Sequence, residues 1–172
     1  QYSPGVVPAI STIIQALTVP GDKVLVQSPV YTPFFSLVED NDREIVNAQL
    51  DYVDGRYSID FDAFEEALKT GVKLFLLCNP HNPSGRVWKK EELMKIAQLC
   101  HQYNVVIVSD EIHSDLVYET HTHIPLASLN DSFRDITITC IAPSKTFNLA
   151  GLQASAMITP NPDLRNKIDA IH

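Results

Sequence analysis

The sequence predicts a three-layer α/β domain with a mostly parallel sheet. Short apolar runs bounded by turn residues alternate along the chain with segments of helical periodicity. Two of the runs, Leu74–Leu77 and Val105–Val108, are apolar on both faces of a strand. Strands of that kind are typical of parallel sheets that helices cover on both sides.

The predicted elements follow this alternation in chain order. The predicted strands are Lys23–Gln27, Arg43–Gln49, Lys73–Cys78, Val105–Ser109, Thr137–Ala142 and Ala154–Thr159. The predicted helices are Val7–Leu17, Pro33–Glu39, Asp60–Lys69, Lys90–Tyr103 and Pro162–Ile171. Asp60 and Asp62 are candidate N-caps of the third helix, because they precede apolar residues that recur at helical spacing.

Composition excludes several classes of function. The formal net charge is −8 at pH 7, and no basic block offsets it, so we expect neither a nucleic-acid nor a membrane partner. No apolar run approaches 18 residues, the length of a membrane-spanning helix. The three cysteines, Cys78, Cys100 and Cys140, lie far apart and form no C-x-x-C pair. We interpret them as buried, reduced thiols of a cytoplasmic protein.

Polar residues follow four predicted strands at the point where each strand ends. These segments are Ser28–Tyr31, Asn79–Gly85, Asp110–His113 and Pro143–Thr146. In open α/β sheets, ligands bind beyond the carboxyl ends of the strands. An aromatic ring, an amide, a carboxylate and an amine at one edge suit a planar, cationic heteroaromatic aldehyde.

Three motifs carry a resemblance to a known family. They are Asn82-Pro83-Ser84-Gly85, Ser109-Asp110-Glu111-Ile112 and Ser144-Lys145-Thr146-Phe147, in an order and at spacings that resemble the fold-type I pyridoxal-5'-phosphate (PLP) enzymes of aminotransferase class I/II. The resemblance implies the PLP-binding large domain of the aspartate-aminotransferase fold. It covers essentially all 172 residues, which would be the central part of that domain. Because Gln1–Gly5 is neither a start nor a signal peptide, we expect an N-terminal segment outside this chain. The resemblance also implies a C-terminal small domain outside it.

The resemblance assigns roles to four side chains. Lys145 would form the Schiff base with PLP and move the substrate Cα proton. Asp110 would hold the pyridine nitrogen protonated; a helix cap is the alternative for Asp110, and Glu111 is the competing carboxylate. Asn82 would donate to the phenolic oxygen of PLP, unless it is only part of an Asn-Pro turn. Tyr31 would stack on the ring, unless it is an ordinary core tyrosine.

The remaining candidates concern the phosphate and the histidines. Ser144 resembles a phosphate ligand through its hydroxyl, and Val6 and Val7 through their backbone N–H groups, although the valines could mark a plain helix start. His113 is predicted as a cofactor-site neighbour of Asp110. We expect no metal, because His121 and His123 have no third ligand in reach and loops often contain such pairs. The resemblance also implies that Ser28-Pro29 and Asn82-Pro83 are cis.

Two departures from the aminotransferase pattern favour one branch of the family. Aminotransferases usually have a tyrosine three residues after the Asp, where this chain has His113, and an arginine eight residues after the lysine, where it has Gln153. The strings NPHNPSGRVW and SKTFNLAGLQ resemble the MalY/PatB-type branch of cystathionine β-lyase-like C–S lyases. That branch implies β-elimination on a small amino-acid substrate and a homodimer. An aminotransferase, and a PLP-binding regulatory domain without turnover, remain alternatives.

Overall fold

A seven-stranded mixed sheet forms the centre of the protein. The computed structural model describes residues 1–171. The strands are β1 (Tyr2–Ser3), β2 (Lys23–Val26), β3 (Glu44–Asn47), β4 (Asp51–Val53), β5 (Arg56–Ser58), β6 (Leu74–Cys78), β7 (Val106–Asp110), β8 (Thr137–Ile141) and β9 (Ser155–Ile158). The helices are α1 (Val6–Leu17), α2 (Pro33–Glu39), α3 (Phe61–Lys69), α4 (Lys90–Gln102), α5 (Asp131–Arg134) and α6 (Pro162–Asp169). Two 3₁₀ turns cover Leu126–Ser128 and Ala150–Leu152.

The strand order confirms the predicted mostly parallel sheet. The order is β1-β9-β8-β7-β6-β2-β3, and the five strands from β8 to β3 run parallel. Strand β9 is antiparallel to β8, and β1 is antiparallel to β9. The hairpin β4–β5 forms a separate two-stranded sheet.

Helices cover both faces of the sheet, which confirms the three-layer architecture. Leu25, Phe75 and Ile107 are register partners whose side chains belong to the core beneath α3 and α4. Their strand neighbours, such as Val24 and Leu74, belong to the core beneath α1, α2 and α6. The alternation follows from the two-residue period of a strand. Both faces of these strands are apolar because each face packs into a separate core.

Local sequence signals account for the element boundaries. Asp60 caps α3 as predicted: its Oδ1 accepts hydrogen bonds from the N–H groups of Asp62 and Ala63, both at 3.0 Å.

The hairpin β4–β5 and strand β1 were not predicted. They are two or three residues long, and their mostly exposed side chains give no buried pattern to detect.

The parallel orientation brings the ends of β2, β6, β7 and β8 to one edge of the sheet. The turns there contain three cis peptide bonds, Ser28-Pro29, Asn79-Pro80 and Asn82-Pro83. The first and third confirm the expectation from the sequence; Asn79-Pro80 was not predicted. Within residues 1–171, we found no helix with the length and apolar character that a membrane crossing requires.

Candidate active site

A cavity of ≈ 110 Å³ lies at this edge of the sheet. Its lining residues come from α1 and from the segments that follow β2, β6, β7 and β8: Val6, Val7, Tyr31, Cys78, Asn82, Asp110, Ile112, His113 and Lys145. The structure therefore brings together seven of the eight residues that the sequence singled out. The eighth, Ser144, does not line this cavity.

Asp110 forms the buried end of the cavity. It is the last residue of β7, and 5% of its surface is exposed. The pKa of Asp110 is raised to about 7, mainly by burial and in part by the negative charge of Glu111; a hydrogen bond from the Ile112 N–H and the charge of Lys145 oppose the rise. No helix begins at Asp110, so the side chain is not a helix cap. A cationic partner in the cavity would therefore favour the ionised form.

Lys145 lines the same cavity as Asp110 and lies in the turn after β8. Its side chain is exposed, and the turn is held by a hydrogen bond from the Phe147 N–H to the Pro143 carbonyl at 3.0 Å. Because the charge of Lys145 lowers the pKa of both Asp110 and His113, the amine is close enough to influence the whole cavity. The cavity thus contains an amine near solvent and a carboxyl away from it.

Asn82 and Tyr31 contribute an amide and an aromatic ring to the wall. The Asn82 N–H donates to Cys78 Sγ at 3.3 Å, which fixes the turn after β6. The Tyr31 ring packs edge-on against Phe34, with centroids 5.9 Å apart, and is partly buried. The fixed turn and this packing orient both side chains along the cavity.

The N-terminus of α1 supplies backbone donors. The helix begins at Val6, so the N–H groups of Val6 and Val7 have no carbonyl one turn earlier to bond. No side chain caps this end, and no acidic residue lies in its first turn. Uncapped N–H groups and the helix dipole together favour an anion such as a phosphate.

His113 and Ser144 differ in their relation to the cavity. His113 lines it, and burial followed by the charge of Lys145 lowers its pKa, so the imidazole is mostly neutral at pH 7. Ser144 is half-buried beside Lys145, and its carbonyl accepts a hydrogen bond from the Leu149 N–H at 3.0 Å. That bond helps to shape the turn that carries the lysine.

Two lining residues were missed from the sequence. Cys78 ends β6 and is the register partner of Asp110, and Ile112 follows Asp110 by two residues. Their positions next to the polar segments at the strand ends were the available signal. Glu111, the competing carboxylate, does not line the cavity. Its side chain contacts Ser109 and His123 instead.

The chemistry of this donor set fits PLP. A buried carboxyl suits a protonated ring nitrogen, an amine suits an aldehyde, and a helix N-terminus suits a phosphate. Among residues 1–171, no three His, Cys, Asp or Glu side chains are grouped so that they could hold a metal ion.

Sequence comparison identifies the family. The model of the family described as aminotransferase class I and II matches residues 1–172. The chain belongs to this family. A similar class I and II relative is cystathionine beta-lyase PatB of Bacillus subtilis, 56% identical over 170 residues, which cover 98% of this chain and 44% of the relative.

Solved structures extend the comparison within aminotransferase class I and II. Cystalysin from Treponema denticola, whose crystal structure contains a pyridoxal 5'-phosphate cofactor, has a TM-score of 0.97 and 41% identity over 99% of this chain and 44% of its own. An aspartate aminotransferase from Rhodobacter sphaeroides has a TM-score of 0.91 and 31% identity over 99% and 44%. The chain thus spans less than half the length of the relatives it matches.

Proposed function

We propose that the full-length protein is a PLP-dependent C–S β-lyase acting on cystathionine-type or cysteine-type amino acids. The observation that carries the proposal is the cavity that a buried Asp110 and an exposed Lys145 line together. The 56% identity to a cystathionine beta-lyase over 98% of this chain supports the choice of reaction. Residues 1–172 would be the central part of the PLP-binding domain.

The described residues would hold the cofactor at several points. Asp110 would face the ring nitrogen, Asn82 the phenolic oxygen and Tyr31 one face of the ring, while Lys145 Nζ would meet the aldehyde. The backbone N–H groups of Val6 and Val7, with the Ser144 hydroxyl, would bind the phosphate. When bound, PLP supplies an electron sink that makes the Cα proton of an amino acid acidic.

Lys145 would perform the proton transfer. Its Nζ would take the Cα proton, the electron pair of that C–H bond would form a Cα=Cβ double bond as the Cβ–S pair leaves with sulfur, and the thiolate would be released as a thiol after protonation. Water would then hydrolyse the enamine to pyruvate and ammonia, so no oxidant and no amino-group acceptor is needed. Asp110 would need to be ionised, because its negative charge would favour a protonated ring nitrogen.

A product assay on the full-length protein tests this reaction. Given L-cystathionine and no keto acid, the enzyme should release pyruvate, ammonia and a thiol. Lys145→Ala should abolish release, whereas Lys167→Ala, a change at an exposed lysine of α6, should leave it intact. Asp110→Ala should lower the rate by about 100-fold, which corresponds to about 2.7 kcal/mol of barrier.

An aminotransferase is the second candidate, favoured by the family itself and by the likeness to the R. sphaeroides enzyme. In that reaction Lys145 would again move the proton, and a keto acid would be required as amino-group acceptor. Turnover that begins only when a keto acid is added, with no pyruvate formed from cystathionine, would establish this alternative.

We also propose a cytoplasmic homodimer for the full-length protein. Three cysteines that are buried and unpaired are consistent with a reducing compartment. Dimerisation rests on the family resemblance. Light scattering of the full-length protein should give twice the chain mass, and cell fractionation should recover it with cytosolic markers.

A further inference from the structure

A buried carboxylate–imidazole pair lies directly behind the cavity. Glu111 Oε2 and His123 Nε2 are 2.8 Å apart, with the two side chains 2% and 10% exposed. Glu111 Oε1 accepts two more hydrogen bonds, from Ser109 Oγ at 2.8 Å and from the Leu126 N–H at 3.2 Å. Three donors on one carboxylate offset much of the cost of burying its charge.

The pair closes the two ends of one loop. Glu111 and His123 flank residues 112–122, a segment outside helices and strands that contributes Ile112 and His113 to the cavity. The far end of the loop is also fixed to β6, because Asn79 Nδ2 donates to the Ile124 carbonyl at 3.2 Å. His113 thus lies in a loop whose two ends are in contact, and its side chain is also hydrogen-bonded to the Pro80 backbone.

The pair also determines where a second negative charge lies. Asp110 and Glu111 are consecutive, so their side chains project to opposite sides of the strand end. The other titratable groups around Asp110 are Lys145 after β8, His113 in the loop, Cys78 in β6 and Cys140 in β8. Glu111 is the acidic neighbour whose charge opposes ionisation of Asp110. The three donors hold that charge on the side away from the cavity.

We propose that His123 is a positioning residue that holds the Glu111 carboxylate on the side away from the cavity and so limits how strongly that charge opposes ionisation of Asp110. This inference rests on the proposed function, in which Asp110 faces the protonated ring nitrogen of PLP. His123 acts through Glu111, because its Nε2–H donates to Glu111 Oε2 and holds that carboxylate away from Asp110. Without His123 the Glu111 carboxylate loses one of its three donors and is no longer held away from Asp110 at that oxygen, so ionisation of Asp110 becomes less favourable.

The pH dependence of PLP binding tests the proposal in the full-length protein. PLP affinity is measured by equilibrium ultrafiltration from pH 5 to 9 for each variant, and the midpoint of its rise with pH is compared. We expect Glu111→Gln, which removes the like charge, to lower the midpoint by about 0.5–1 unit. His123→Ala should raise it by a similar amount, and Glu111→Gln should reverse that rise when the two changes are combined.

Matched variants separate this role from a purely structural one. His121→Ala changes an exposed histidine of the same loop and should leave the midpoint unchanged. His123→Gln, which can keep a donor near Glu111, should restore most of the wild-type value. If His123→Ala does not fold, the Glu111→Gln shift alone decides. Unshifted midpoints in folded variants overturn the inference. A PLP affinity that is the same in Asp110→Asn as in the wild type overturns the proposed function instead.

Discussion

Cys78 and Asp110 are register partners at the carboxyl ends of β6 and β7, and both line the cavity. Burial raises the pKa of the Cys78 thiol to about 12, and the charge of Asp110 adds to that rise. The thiol is therefore protonated at neutral pH. Asp110 meets no second anion across the strand pair, and the cavity keeps one acidic group that titrates near pH 7.

The raised pKa of Asp110 predicts how stability depends on pH in the cofactor-free protein. Between about pH 4 and 7 the unfolded chain loses this proton while the folded protein retains it, so Asp110 destabilises the fold increasingly as pH rises through that window. Asp110→Asn should therefore raise the free energy of unfolding at pH 8 by a few kcal/mol, on the order of 1.4 kcal/mol per pKa unit, and change it little at pH 4. Urea denaturation at both pH values measures this. Asp40→Asn, at an exposed site, is the control.

A buried histidine, His81, predicts the opposite dependence of stability on pH, in a window that overlaps the one for Asp110. Burial, followed by the charge of Arg86, lowers the pKa of His81 to about 4. Its Nδ1 contacts Ser84 Oγ at 2.7 Å, and within residues 1–171 its Nε2 has no hydrogen-bond partner. Below pH 6.5 the unfolded chain takes up a proton on this side chain that the folded protein does not. His81 therefore lowers the free energy of unfolding as the pH falls towards 4.

His81→Gln should remove that contribution. Its free energy of unfolding, relative to the wild type, should improve by about 2–3 kcal/mol as the pH is lowered from 7 to 4. The free energy of unfolding of His81→Gln at pH 7 also includes the loss of the contact between His81 and Trp88. The change of that free energy with pH is therefore the quantity that tests the prediction. A parallel pair of urea curves for His101→Gln, an exposed histidine, should show no such change.

The next prediction concerns the lysine that reacts with the cofactor. Borohydride reduction of the full-length protein with PLP should attach the pyridoxyl group to the peptide containing Lys145, because its amine lies at the cavity. Bound PLP should give the full-length protein a visible absorption band, and Lys145→Ala should lose both this band and the label. Peptide mapping that finds the label on Lys23 or Lys167 would contradict the assignment.

Arg86 predicts a stability effect that charge alone does not explain. Its guanidinium bonds both Glu92 carboxylate oxygens, at 2.8 and 2.7 Å, lies 4.6 Å from the Trp88 ring centroid and donates to the Tyr57 carbonyl. Lysine keeps the charge but not the planar fork. Arg86→Lys should cost about 1–2 kcal/mol in urea denaturation. Lys69→Ala, which removes an exposed pair with Glu66, should cost much less than Arg86→Lys in the same assay.

The sequence was most informative where the pattern extended over many residues. The parallel strands and the longer helices were predicted to within a few residues, because β6 and β7 are apolar on both faces and α3 has a capping Asp60. The segments at the strand ends predicted which side chains would meet, since parallel strands end at one edge. The aromatic hairpin β4–β5 left no comparable signal.

Contacts between distant residues could not be predicted. His123 was interpreted as a loop histidine, and Glu111 as a competitor of Asp110, yet the two are hydrogen-bonded. Twelve positions along an irregular loop carry no periodicity that would bring them together. The participation of Cys78 likewise depends on strand register, which pairs it with Asp110 and is a property of the folded sheet.

The reversal of β9 has a consequence for how this surface can diversify. Because β9 runs antiparallel to its neighbour β8, residues 142–154 connect them at the cofactor edge without crossing the sheet. Phe147, Leu149 and Leu152 are exposed in this connection, so it packs little against the core. A change of length after Lys145 would therefore alter the approach to the cavity without changing the order of the strands.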